Sequence, residues 1–241
     1  MSATAKPQGA STPAEFESVL RRAGAVVSPR DGRPVAINFG SAAAELAVCV
    51  RTVGLVDRSD LSTLALEAPP AQLSALVRRL VGATVSPGGL VTAGSAWWCG
   101  AMADRLLVVC DPRTADRLTD GLRSDATRHV VVRNLSSELV AVGLLGRNTA
   151  QVLNSLGVYG PSGDPRAAKP FARGSVEEIP AWWLLQTDRR ALALVDRERA
   201  GEAWLAIERA GRPYGISCVG QEAAARYTLM ERLRPATLPF V

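Results

Sequence analysis

Gly54-Leu55-Val56-Asp57-Arg58-Ser59-Asp60-Leu61-Ser62 places two carboxylates and two hydroxyls at the end of an apolar run, so polar groups are held at the rim of a core. Upstream, Ala42 to Arg51 reads as a helix that carries Glu45 on a face otherwise made of Ala, Leu and Val. Downstream, Thr63 to Glu67 reads as a strand, Pro69-Pro70 interrupts it, and Leu73, Leu76, Val77 and Leu80 fall at helical spacing over Gln72 to Leu80. Further back, Thr12-Pro13-Ala14-Glu15 is a capping box with proline at the first helical position, followed by a stripe of Phe16, Val19 and Leu20. Ser28 to Pro34 has turn chemistry, and Val35 to Phe39 alternates as a strand that Gly40 ends.

The chain then repeats itself. Leu106 to Cys110 is an apolar strand running into an Asp111-Pro112 helix start, and the helix continues to about Leu122. Ala191 to Val195, with Asp196 and a helix through Ile207, mirrors it; Asp111 and Asp196 are 85 positions apart, as are Ala115 and Ala200. Leu139 to Leu145 with the helix Ala150 to Leu156 likewise mirrors the unit that begins at Thr63. Between them, Tyr159 to Arg166 is a loop rich in Gly, Pro and Asp, and Gln221 to Leu233 closes the chain as a helix before Pro235 and Pro239. The expectation is an α+β fold of two related lobes of sheet with outer helices and a cleft between them. The expected division is 1–12 as a flexible N-terminus, 13–125 as the N-terminal lobe and 126–241 as the C-terminal lobe, the two lobes forming one compact unit.

Composition narrows the function. The net charge of +5 comes from 28 basic residues against 23 acidic ones. Nearly all the basic residues are Arg, scattered in ones and twos, so an anionic small molecule or an acidic partner is favoured over nucleic acid. Cys49, Cys99, Cys110 and Cys218 form no C-x-x-C pair and His129 is the single histidine, which leaves no metal set and no Ser-His-Asp spacing. No secretory apolar region precedes Thr12, and no apolar run approaches the roughly 20 residues of a membrane helix. A soluble, cytoplasmic protein is expected.

Several side chains stand out. Asp57 and Ser59 read either as a turn and cap pair or, with Asp60 and Glu45, as an acidic cluster that orients or deprotonates a substrate amine. The pairs Trp97-Trp98 and Trp182-Trp183 sit on strands, where neighbours face opposite ways, so one of each is expected in the core and the other exposed or lining a cleft. Cys218 and Glu222 lie four apart at a helix start, which lowers a thiol pKa, although an inert thiol is the alternative.

The run Glu45 to Ser59 resembles the folate-binding fold of the glycine cleavage T-protein (aminomethyltransferase) family, whose hallmark reads E-x-x-A-V-R-x-x-x-G-L-F-D-V-S-H. Glu45, Gly54, Leu55, Asp57 and Ser59 fall in register; Arg51 stands one residue nearer the glycine, and Asp60 replaces the histidine. Gly146 to Leu153 is similar to the family's G-x-x-A-x-x-x-L step. The layout follows the family from about 15 to 235, without its C-terminal barrel, and is nearest in size to the sarcosine oxidase gamma subunit. Cys218-Val219-Gly220-Gln221-Glu222 is similar to the K-G-C-Y-x-G-Q-E signature of an iron–sulfur-repair branch, with the cysteine one residue nearer the glycine.

The resemblance implies an aminomethyltransferase-like enzyme or enzyme subunit acting on a small-molecule amine between the lobes. Asp57, Glu45 and Asp60 would be catalytic, with Ser59, Trp98, Trp183, Arg51, Glu222 and Arg226 binding substrate. Tetrahydrofolate is the implied cofactor, with no metal. Two departures bear on it. The G-x-x-x-D-D segment becomes Gly100 to Asp104, with one carboxylate, and the pterin-holding glutamate position becomes Ala193. The fold is therefore open to diversion toward carbon–nitrogen bond formation or amine cyclisation in a biosynthetic pathway. The alternative is a non-catalytic subunit or maturation factor that completes a partner's active site.

Overall fold

Apolar strands without polar alternation must be covered on both faces, and the chain satisfies this with two sheets packed face to face and helices outside each. The computed structural model describes residues 13–124, 129–160, 163–165 and 167–233. Met1 to Thr12, Arg166, Pro235 and Pro239 lie outside the described residues. Helix α1 (Pro13–Arg22) is followed by a hairpin, β1 (Val26–Arg30) and β2 (Arg33–Asn38), and then by α2 (Ala42–Arg51). The turn expected over Ser28 to Pro34 is narrower: pairing continues to Arg30 and Arg33, and only Asp31 and Gly32 turn, both at positive φ. The prolines are tolerated because this ribbon has only two strands, both of them edges.

A five-stranded antiparallel sheet is built from β4 (Ser62–Glu67), β5 (Leu90–Ala93), β6 (Ala96–Met102), β7 (Arg105–Cys110) and β8 (Val131–Asn134), in the order β5-β6-β7-β4-β8. Its outer face carries Leu64, Leu66, Trp98, Leu106 and Val108 beneath α3 (Pro70–Val81) and α4 (Pro112–Ser124). The six-stranded sheet is built from β3 (Val53–Asp57), β9 (Leu139–Leu145), β10 (Phe171–Val176), β11 (Ile179–Thr187), β12 (Arg190–Asp196) and β13 (Ile216–Val219). Its order is β10-β11-β12-β9-β3-β13, with only β3 and β13 parallel. Val142, Leu144, Trp183, Ala193 and Val195 on its outer face meet α1, α5 (Thr149–Ser155) and α6 (Ala200–Gly211). Leu107 and Val109 from one sheet interleave with Leu184, Leu192 and Leu194 from the other to form the middle layer. The last helix, α7 (Gln221–Leu233), lies against α2, with Cys49, Val219, Ala224 and Tyr227 between them.

The internal repeat extends to strand register. Trp97 pairs with Val109 and Trp182 with Leu194, each pair displaced by 85 positions from the other. The two units also exchange a strand: β8 follows the first unit's helix and pairs with β4, while β3, from the first half, takes the matching place beside β9.

Candidate functional site

The stretch after β3 is held by hydrogen bonds from three directions. Asp57 Oδ1 accepts from the Ser59 amide at 2.9 Å and the Ser59 hydroxyl at 2.6 Å, while Oδ2 accepts from the Ala36 amide of β2 at 3.1 Å. Burial pushes the Asp57 carboxyl up, against the hydrogen bonds from Ser59 and Ala36 that pull it down, and the nearby Asp60 adds to the rise. No part of Asp57 reaches solvent and both oxygens are engaged, so its place is that of a bracket between β2 and the loop. Arg33 completes the clamp, its Nη1 donating to the Leu61 carbonyl at 2.7 Å.

Glu45 performs the same service one layer away. Buried on α2, it accepts from the Phe39 amide through Oε1 and from the Gly220 amide through Oε2, both at 2.7 Å. A side chain at residue 220 would put its Cβ 2.1 Å from the Ile37 carbonyl oxygen, so glycine alone permits this approach. The next residue, Gln221, donates through Nε2 to the Asp57 carbonyl at 3.0 Å and to Asp60 Oδ1 at 2.7 Å. Asp60 also receives a two-pronged Arg58 guanidinium, Nε to Oδ1 at 2.9 Å and Nη2 to Oδ2 at 3.1 Å. Glu45, Asp57, Ser59 and Asp60 are therefore brought into one connected network through Gly220 and Gln221.

That network forms one wall of a cleft of about 420 Å³ at the mouth of the space between the sheets, where Arg58, Arg190 and Arg232 meet Trp97, Ser95 and Asp111. The Arg190 Nε is buried with no hydrogen-bond partner among the described residues. Burial, and then the charges of Arg58 and Arg232, bring the Arg190 pKa down, but a guanidinium stays charged; with Arg58 paired to Asp60, Arg190 and Arg232 give this corner its positive charge. The other corner is negative. Burial pushes the Asp111 carboxyl up, but hydrogen bonds from Ser95 and Thr114 outweigh it and hold it below the usual carboxylate range. The cleft thus offers guanidinium donors, an indole face and an ionised carboxylate.

Other expected site residues lie elsewhere. Trp98 and Trp183 are 3% and 2% exposed in the helix-covered cores. Their neighbours take the inward places: Trp97 lines the cleft, and Trp182 stacks on Phe171 with ring centroids 5.1 Å apart. Arg51, Glu222 and Arg226 are exposed on α2 and α7, outside the network. Cys218 belongs to β13 instead of a helix start, and burial, then Glu208, push its thiol up to about 11. Reading the sequence alone misses Arg58, Arg190, Arg232 and Trp97; Arg58 and Trp97 adjoin residues already singled out and Arg190 adjoins a turn, whereas Arg232, near the end of α7, carries no such signal.

The residues present do not fit the pterin-holding arrangement. Ala193 is fully buried, paired with Trp183 and Val142 in a core covered by helices. It offers no acceptor to a pterin amide edge. Asp104 is exposed in the β6–β7 turn. Among the described residues no group of three or more His, Cys, Asp or Glu side chains could hold a metal, and no helix is long and apolar enough to cross a membrane.

No family model matches the sequence, and no curated protein matches it. Solved structures do. The glycine cleavage system aminomethyltransferase T of Bartonella henselae superposes with a TM-score of 0.66 at 17% identity, over 93% of this chain and 63% of its own length. This chain therefore spans less than two thirds of that protein. A chain of the heterotetrameric sarcosine oxidase of Corynebacterium sp. U-96, in complex with pyrrole 2-carboxylate, superposes with a TM-score of 0.56 at 20% identity, over 74% of this chain and 95% of its own. The fold is that of the aminomethyltransferase folate-binding proteins, and among the described residues neither sheet closes into a barrel.

Proposed function

We propose that the chain binds a small amine bearing a carboxylate in the cleft between its sheets, as an aminomethyltransferase-like enzyme acting on that amine. The observation that carries this reading is the opposition of Arg58, Arg190 and Arg232 to Asp111 across one cleft. Arg190, with its unpaired Nε, and Arg232 take the carboxylate; Asp111, held ionised by Ser95 and Thr114, takes the ammonium; Trp97 covers the carbon body. Asp57, Glu45 and Ser59 position the loop that carries Arg58 and Asp60. The two structural neighbours, an aminomethyltransferase and a sarcosine oxidase, support an amine as the class of ligand. No step is assigned to tetrahydrofolate.

A second reading is favoured by the state of the cleft's carboxylates. Asp60 has its oxygens engaged by Arg58 and Gln221, and Asp111 is held below the usual carboxylate range, so Asp111 is not a base poised near neutral pH. A subunit that binds the substrate while a partner chain supplies the proton acceptor fits this arrangement. Calorimetric titration with sarcosine and with pyrrole 2-carboxylate tests the binding that both readings share. Saturable binding is expected, weakened about tenfold in Arg190→Gln by the loss of a charge-assisted contact. Absence of binding, or an affinity indifferent to that substitution, overturns the proposal.

A further inference from the structure

A second cavity, of about 510 Å³, lies on the far side of the β11–β12 turn, lined by Val50, Arg147, Arg189, Tyr227, Met230 and Glu231. Consecutive residues divide between the two spaces: Arg189 and Glu231 face this one, whereas Arg190 and Arg232 face the cleft. The feature that needs an explanation is Tyr227. Its side chain is 2% exposed, and its hydroxyl has no hydrogen-bond partner among the described residues. Buried hydroxyls are ordinarily satisfied, so this one is a donor waiting at a cavity wall. Burial, and next the charge of Glu231, push Tyr227 up to about 12 against the pull of the neighbouring Arg189 guanidinium, which can only donate to the phenol oxygen and so leaves the O–H as a donor.

The surroundings are built and rigid. The Arg189 carbonyl accepts from the Gly146 amide at 2.9 Å and the Thr149 hydroxyl at 3.2 Å. The amides of Arg147 and Asn148 in turn donate to the Cys49 and Thr52 carbonyls at the end of α2, at 3.3 and 2.9 Å. This fixes the backbones from which both guanidiniums extend. Glu231 lies 3.6 Å from Arg189 and offsets one of the two positive charges. The exposed Asp188 lies 4.0 Å from Arg189 and offsets it further, so Arg147, which makes no ion pair among the described residues, is the guanidinium left to meet a monoanion, while a dianion would face Glu231. Val50 and Met230, 46% and 45% exposed, give it an apolar side.

We propose that this cavity is a second ligand site, for a monocarboxylate with an apolar body, whose carboxylate accepts from the Tyr227 hydroxyl and the Arg147 guanidinium while Val50 and Met230 cover the rest. The proposal does not depend on what the cleft between the sheets binds. Its test is titration of the full chain with benzoate, with its uncharged analogue benzamide and with inorganic phosphate, in the wild type and in Arg147→Gln, Tyr227→Phe and Arg190→Gln. Benzoate is expected to saturate at millimolar concentration, with affinity about tenfold weaker in Arg147→Gln and in Tyr227→Phe and unchanged in Arg190→Gln. Tyr227→Phe keeps the buried ring and removes only the hydroxyl, so its melting temperature should stay close to that of the wild type, which separates lost binding from lost folding. Equal affinity for benzamide, preference for phosphate, no saturation by benzoate, or sensitivity to Arg190→Gln in place of Arg147→Gln would each overturn it.

Discussion

Cys218 sits on β13, two residues before the glycine that Glu45 holds, and that placement governs its reactivity. Burial pushes its thiol up, the carboxylates of Glu208 and Glu45 add to the rise, and its backbone hydrogen bond and Trp204 oppose it, leaving a value of about 11 against an ordinary 9.0. A raised thiol pKa favours the protonated form, so at pH 8 the native thiolate fraction is about a hundredth of that in the unfolded chain. Alkylation of Cys218 by iodoacetamide at pH 8 should therefore be about 100-fold slower in the native protein than in urea, and should accelerate as pH rises toward 11. Rapid native labelling at pH 8 would contradict the assignment. Glu45 and Asp57 follow related physics: a carboxylate that gives its oxygens to backbone donors in a dry site is strongly held, and its value lies in fixing the strands around it.

At the scale of elements, the glycine of the signature stretch has a steric explanation. A Cβ on Gly54 would lie 2.7 Å from Val219 Cγ2 and 2.8 Å from Cys49 Sγ, so the residue lets β13 and α2 close on β3. Gly54→Ala is expected to destabilise by about 1–3 kcal/mol through overpacking, read as a lower urea midpoint at unchanged slope. Gly121→Ala in α4, where a Cβ would meet nothing within 4 Å, should be neutral or stabilising by about 0.5–1 kcal/mol. Much of this level is legible in the sequence, because long apolar strands such as β7, β9 and β12, and helices with a regular stripe such as α3, advertise themselves. The tryptophan assignment failed for the same reason that made those strands easy. Strands buried on both faces show no alternation, so nothing in the sequence says which tryptophan of a pair faces the helices. The cleft's arginines come from positions 58, 190 and 232, and only the fold brings them together.

For the whole molecule, the exchanged strands matter more than the repeat that reveals them. An 85-residue displacement suggests two units that could each stand alone, yet each sheet takes a strand from the other half of the chain: β3 lies beside β9, and β8 beside β4. Separating the chain between residues 126 and 127 would therefore remove β3 from the six-stranded sheet and β8 from the five-stranded one, opening the edges of β9 and β4. It would also expose the middle layer of Leu107, Val109, Leu184, Leu192 and Leu194 to water. Unpaired edges and a bare apolar face both drive aggregation. Fragments 1–126 and 127–241 expressed alone should be insoluble or lack a cooperative thermal transition, whereas the two expressed together should form a soluble complex with one shared transition. A cooperative transition in either fragment by itself would show that the exchanged strand is dispensable, and that the halves fold as the repeat alone suggests.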